Sequence, residues 1–321
     1  MPSVILLDTA RWPAHGRLWG HVVSDATLDE LHRFAAVAGI PPGGFDHDHY
    51  DYPAERRASL IEAGAELVDS RVLLRRLRAS GLRVRPHERT PTRGIATARL
   101  RERWRSLAPR APALGEDLLT RWSEPHRRYH DVRHLLHLLE TLEALGAAEP
   151  VVRWAAWFHD AVHEGRAGDD ERASAALARD ALASLLPAAD VAEVVRLVEL
   201  TIDHSPGPSD ARGVQLSDAD LAILGAPRGR YDVYARDVRA EYAHVANAAF
   251  VRGRTAVLEG LLAAPVLFVG DAARDAFEDR ARGNMAAEVA PPGRPSRPPG
   301  SPRAMAHRRC APLTPRLRLH E

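Results

Sequence analysis

The chain has 321 residues, 45% of them hydrophobic and 27% charged, with a formal net charge of +1. That is the make-up of a globular protein with room for two cores, and it does not point to a broad nucleic-acid surface. One cysteine, Cys310, excludes intramolecular disulfides and cysteine zinc ribbons.

All 44 basic residues are arginine. Without lysine, Schiff-base chemistry and a Walker-type phosphate lysine are excluded, so any phosphate contact falls to Arg, His, backbone amides or metal. No apolar run approaches the roughly 20 residues of a membrane span. The start, through Val4-Ile5-Leu6-Leu7, has no basic region before its short apolar stretch and reads as a buried strand, not a secretory signal. A cytoplasmic protein without a membrane partner is the expectation.

After that strand, residues 25–38 read as a helix, with Leu28, Leu31, Phe34, Ala35 and Ala38 at helical spacing. Ser24 or Asp25 is its expected cap and Gly39 its stop. A short helix over 53–63, a second strand at 66–68 and a helix over 70–79 complete a strand–helix alternation, the pattern of a small α/β unit. His15, His21, His47, His49 and Asp51 fall in expected loops, where they gather or simply cap turns. Residues 84–94 are a polar, proline-containing linker.

Helical periodicity then runs through 96–108, 115–122, 133–145, 151–162, 170–186, 188–203 and 231–262, with no alternating pattern among them, so an all-α domain is expected. From 291 to 321 Pro, Arg, Gly and Ser dominate, as in a disordered tail.

Two strings in the helical half carry chemistry. In Tyr129-His130-Asp131-Val132-Arg133-His134 the two histidines are four apart, which on a helix puts both on one face. His159-Asp160 closes an apolar helix and offers one nitrogen and one carboxylate to a single ion. A third string, Asp218-Ala219-Asp220-Leu221, sets acids in an apolar helix, where an unpaired carboxylate is costly.

The order His, His-Asp, Asp over helical sequence resembles the HD superfamily of metal-dependent phosphohydrolases. Tyr129 to His134 is also similar to the tyrosine-histidine-asparagine-x-x-histidine string of cyclic nucleotide phosphodiesterases, with Asp131 in place of the asparagine. Glu124 to His130, Phe158 to Val162 and Asp218 to Gly225 are similar to a bacterial group of predicted HD-type phosphohydrolases.

The resemblance spans about residues 96–290. It implies His134, His159, Asp160 and Asp220 as metal ligands, with Asp218 the alternative to Asp220, and His130 as general acid. Asp218 then orients a histidine or binds a second ion, and Glu171 matches an acidic position that reaches the metal-bound water. Residues 1–83 resemble an uncharacterised bacterial domain of unknown function, through Arg11 to Trp19, His21 to Asp25 and His47 to Asp51.

The expected fold is α+β overall, a small α/β N-terminal domain (1–83) and linker (84–94) before an all-α HD-type helical domain (95–290) and the tail (291–321). The expected activity is hydrolysis of a phosphate ester on a nucleotide or small phosphorylated metabolite. Its alternatives are a non-catalytic nucleotide-sensing module and a di-iron oxygenase on the same fold. A two-imidazole, two-carboxylate set suits Mn, Fe, Ni, Co or Mg. Arg127, Arg133, Arg239, Arg254 and His204 are candidates for phosphate contact, with Asp160 and His130 nearest the chemistry; His137 is expected to stand beside the site rather than in it.

Overall fold

A computed structural model describes residues 3–146, 149–207 and 209–290. The expected tail lies outside the described residues. Among them, the chain divides into two compact units. One runs up to Arg89 and includes Pro227–Val233; the other takes Thr90–Ala226 and the residues from Tyr234 onward. The architecture is α+β, a small sheet unit followed by helices.

The sheet unit holds β1 (Ile5–Leu7), β2 (Trp12–Ala14), β3 (Arg17–Ser24), α1 (Leu28–Val37), β4 (Tyr50–Pro53), α2 (Arg57–Glu62), β5 (Glu66–Leu67) and α3 (Ser70–Ala79). Strand β3 is central: β1 and β2 pair antiparallel along it, and β4 pairs antiparallel with it through a separate register. Strand β5 joins β1 in parallel.

The apolar run at β1 is continuous because both faces of the sheet are covered. Leu7 and Val22 are buried in one cluster with Leu28, Leu31 and Ala35 of α1. Leu6 and Val23 are buried in a second cluster with Leu73 and Leu77 of α3.

Three strands that the sequence reading places in loops or in a helix are β2, β3 and β4. Strands β2 and β3 form a hairpin whose turn residues, His15 and Gly16, both have positive φ (50° and 70°), as a two-residue type I′ turn requires. His21 therefore lies on a strand, and Asp51 lies on β4. The cap of α1 is Thr27, whose side chain accepts from the Glu30 amide; Ser24 instead accepts from the amides of Ala26 and Thr27. Gly229 explains how Pro227–Val233 joins this unit, because a Cβ there would lie 1.6 Å from the His47 carbonyl oxygen.

The helical unit comprises α4 (Arg93–Leu107), α5 (Pro112–Arg121), α6 (Val132–Ala144), α7 (Pro150–Phe158), α8 (Asp169–Leu182), α9 (Ala188–Leu200), α10 (Ala211–Leu221), α11 (Arg228–Glu241), α12 (Asn247–Ala263) and α13 (Asp271–Val289). The first turn of α11 belongs to the sheet unit. The single helix expected over 231–262 is in fact two, α11 and α12.

The core gathers the apolar faces of α4 to α10 around Trp104, Trp122, Trp154 and Trp157. Trp122 donates to the Trp157 carbonyl at 3.0 Å, tying the segment before α6 to the end of α7. No described helix is long and apolar enough to cross a membrane.

Candidate metal centre

His134 stands in the first turn of α6, His159 caps the C-terminus of α7 with Asp160 next to it, and Asp220 is in the last turn of α10. Packing of these three helices brings His134, His159 and Asp220 together, with donor atoms all within 4.8 Å of one another, and Asp160 stands beside the two histidines. His134 Nε2 lies 3.1 Å from His159 Nε2 and 3.1 Å from Asp220 Oδ1. His159 Nε2 is 3.2 Å from Asp160 Oδ2 and 3.7 Å from Asp220 Oδ1, and His134 Nε2 is 3.8 Å from Asp160 Oδ2. Both imidazoles are buried, His159 at 1% exposure.

This donor set suits a divalent cation. His159 Nδ1 donates to the Ala156 carbonyl at 2.9 Å, which leaves a lone pair on Nε2. That lone pair faces a second buried imidazole nitrogen at 3.1 Å. The other nitrogen of His134, Nδ1, is buried with no hydrogen-bond partner, so burial costs this ring one unsatisfied polar atom. Ligands about 2.1 Å from an octahedral ion are spaced by roughly 3.0 Å, close to the shorter separations here.

Electrostatics point the same way. Burial opposes charge on His159, but Asp160 and Asp220 outweigh it and lift its pKa to about 9. Burial likewise opposes ionisation of Asp160 and Asp220, yet the adjacent histidines hold both carboxyls below their ordinary range. Burial dominates at His134 and lowers its pKa. Two carboxylates in so dry a place need positive charge.

His130 is not where helical spacing puts it. It lies in the turn before α6, because Asp131 adopts extended backbone and caps that helix, accepting from the Arg133 amide at 2.8 Å. Its ring still stands beside His134, with centroids 5.5 Å apart. Glu241 at the end of α11 fixes it: Oε1 lies 2.5 Å from His130 Nδ1 and 3.1 Å from His163 Nε2. The other oxygen, Oε2, accepts from the amides of Arg128, Tyr129 and His130. Burial works against charge on His130, but Glu241, with Asp160 and Asp220, raises its pKa. Glu241 has no motif in the sequence, only a position in a polar helix, so nothing there could have singled it out.

The remaining candidates divide. His204, in left-handed backbone at φ 50°, puts Nε2 3.5 Å from Asp220 Oδ2 and so adjoins the centre. Asp218 does not: its oxygens accept from the amides of Val269 and Gly270, at 2.9 and 2.8 Å, fastening the segment before α13. Glu171 caps α8, accepting from the Gly168 amide at 2.6 Å; burial first, and then the nearby charge of Asp160 among other influences, raises its pKa.

Arg127 is fully buried and donates to Glu124 and to the carbonyls of His130, Asp160 and Ala161. It is a strut under the site, not a phosphate clamp. Arg133 pairs with Asp131 and Asp237, and Arg239 donates to the carbonyls of Tyr242 and Val245. Arg254 pairs with Glu288 and donates to the Tyr234 hydroxyl; the Tyr234 ring packs on Tyr129, which packs on His134.

Among known families, residues 5–80 match one described as a protein of unknown function, DUF4031. No curated protein matches the chain, and no solved structure matches it.

Proposed function

We propose that the helical unit is an HD-type metal-dependent phosphohydrolase acting on a nucleotide or small phosphorylated metabolite. The observation that carries this reading is the convergence of His134, His159, Asp160 and Asp220, in that chain order, with each histidine Nε2 3.1–3.8 Å from the other and from both carboxylates. Those four residues would hold a divalent ion such as Mn, Fe, Ni, Co or Mg. Bound there, the ion would supply Lewis acidity and a water of lowered pKa.

The chain's own groups have distinct tasks. Asp160 and Asp220 neutralise the cation, and the Ala156 carbonyl keeps the His159 lone pair on Nε2. His130, held by Glu241 in its charged form, keeps a proton beside the site for a leaving alkoxide. His204, next to Asp220, is placed to meet a phosphoryl oxygen. With Arg127 and Arg133 occupied by protein partners, charge on the substrate falls to these groups and the ion.

The test is a screen of purified protein against phosphomonoesters and nucleotides with each ion added separately. Divalent-dependent release of phosphate is expected. Tight nucleotide binding without turnover under any ion would instead favour a sensor. A second donor group, His130, His163 and Glu241, favours a di-iron oxygenase; two irons per chain would be its mark. Glu241 already spends one oxygen on three backbone amides, which suits an anchor for His130 better than a ligand.

A further inference from the structure

The sheet unit carries its own set of metal-type donors, built by strand register. In the β3–β4 ladder His21 is directly opposite Asp51. His49 lies just before β4 and brings its Nε2 to 3.5 Å from Asp51 Oδ1. The His21 and His49 rings meet edge-on with centroids 4.9 Å apart.

Each imidazole is oriented from behind by a buried carboxylate. Asp8, just after β1, places Oδ2 3.2 Å from His21 Nδ1, while its Oδ1 accepts from the His21 amide at 2.7 Å. Ser70 donates to Asp8 Oδ2 at 2.7 Å and fixes that carboxylate. On the other ring, Asp48 Oδ1 lies 2.7 Å from His49 Nδ1. Asp48 is fully buried and is itself held by the Val84 amide and the Arg83 guanidinium.

A carboxylate only accepts, so both Nδ1 atoms carry a hydrogen, and each Nε2 offers a lone pair when its ring is neutral. Those two Nε2 atoms approach one oxygen, Asp51 Oδ1, at 3.9 and 3.5 Å. Histidines that bind metal are oriented in this way, with the second ring nitrogen donating to a carboxylate.

We propose that His21 Nε2, His49 Nε2 and Asp51 form a divalent-metal site of zinc type in the sheet unit, with Asp8 and Asp48 as positioning residues. The donor atoms all lie within 4.8 Å of one another; a tetrahedral zinc with bonds of about 2.0–2.1 Å spaces its ligands by roughly 3.3 Å. Two nitrogens and one oxygen suit zinc and exclude the all-oxygen shells of calcium and magnesium. The Asp51 side chain is 46% exposed and that of His21 29%, so the fourth position opens to solvent and takes water or a small anion. A protonated His49 between Asp48 and Asp51 would account for one ring alone. It gives no reason for Asp8 to hold His21 in the matching orientation.

The test is zinc chloride titrated into metal-stripped full-length protein by calorimetry, with stoichiometry checked by elemental analysis. The wild type is expected to bind zinc at two sites, one of which Asp51→Asn and His21→Ala each remove or weaken at least about tenfold. Asp220→Asn, in the helical unit, should leave that zinc in place, so the two sites are scored separately. Asp8→Asn should weaken binding by about 10–100-fold without abolishing it. Asp51 is solvent-facing, so Asp51→Asn should keep the wild-type circular dichroism. Zinc affinity and stoichiometry unchanged in both Asp51→Asn and His21→Ala would overturn the proposal and leave an ion-pair network.

Discussion

Two histidine–aspartate clusters in one chain are built by different means. In the helical unit the donors come from α6, the end of α7 and α10, far apart in sequence, and packing seals them: His134 and His159 are buried. In the sheet unit His21 and Asp51 come from adjacent strands through pairing register, His49 from the residue just before β4, and Asp51 faces solvent. A sealed site ties its ligands to the core, so removing one costs both binding and stability. A register-built site at a surface can lose a ligand and keep its fold.

The largest expected effects fall on the sealed cluster. His159→Ala and Asp220→Asn should each strip the helical unit of its ion and abolish divalent-dependent hydrolysis, since each deletes one of four ligands. Elemental analysis beside the activity assay checks this. Retention of wild-type metal content by both variants would remove the distinction drawn between the clusters.

Next comes the group beside the metal. His130→Ala should keep the ion and lose about 10²–10⁴ in turnover. The loss should shrink for a nitrophenyl ester, whose leaving group needs little protonation. An equal loss on good and poor leaving groups would count against an acid.

A smaller effect separates the two neighbouring aspartates. Asp218→Asn should leave metal and turnover in place and destabilise the fold by about 1–3 kcal/mol, because two amides lose a charged acceptor. Urea melts of Asp218→Asn beside Asp220→Asn read the difference. Metal loss in Asp218→Asn would exchange their roles.

The smallest effect is on acid stability. The Arg196 guanidinium bonds to Asp210 and Glu193 and lowers both carboxyl pKa values, and Asp210 also caps α10. Because the folded pKa values are depressed, this contribution is fully present above the ordinary carboxylate range near pH 4. It is lost as the pH falls through the lowered values. Arg196→Gln should flatten the acid limb of stability by about 1 kcal/mol or less, in keeping with partly exposed pairs. Melting temperatures between pH 3 and 6 test it.

The helical unit was largely legible. Apolar residues at helical spacing mark α4 to α9, and the strings at His134, His159 and Asp220 stand out against them. Boundaries set by capping were harder: Asp131 ends the turn and starts α6, which moves His130 off the helix although the spacing to His134 fits one. Glu241 and the true partners of Arg127 depend on contacts across the fold and leave no local trace.

The sheet unit was less legible for a physical reason. Strands β2, β3 and β4 are rich in Trp, Pro, Gly, His and Tyr, and several positions that an alternating pattern would make apolar carry polar groups with buried partners. His21 and Asp51 read as loop residues because the register that joins them is a property of pairing. The unit's plain signals were the apolar run of β1 and the helical spacing of Leu28, Leu31 and Ala35 in α1.

The most direct measurement for the central claim is anomalous diffraction from crystals of the full-length protein grown with manganese. A peak about 2.0–2.3 Å from His134 Nε2, His159 Nε2 and one oxygen each of Asp160 and Asp220 is the predicted result. No peak among those four residues, or one bonded only to His130, His163 and Glu241, would contradict it.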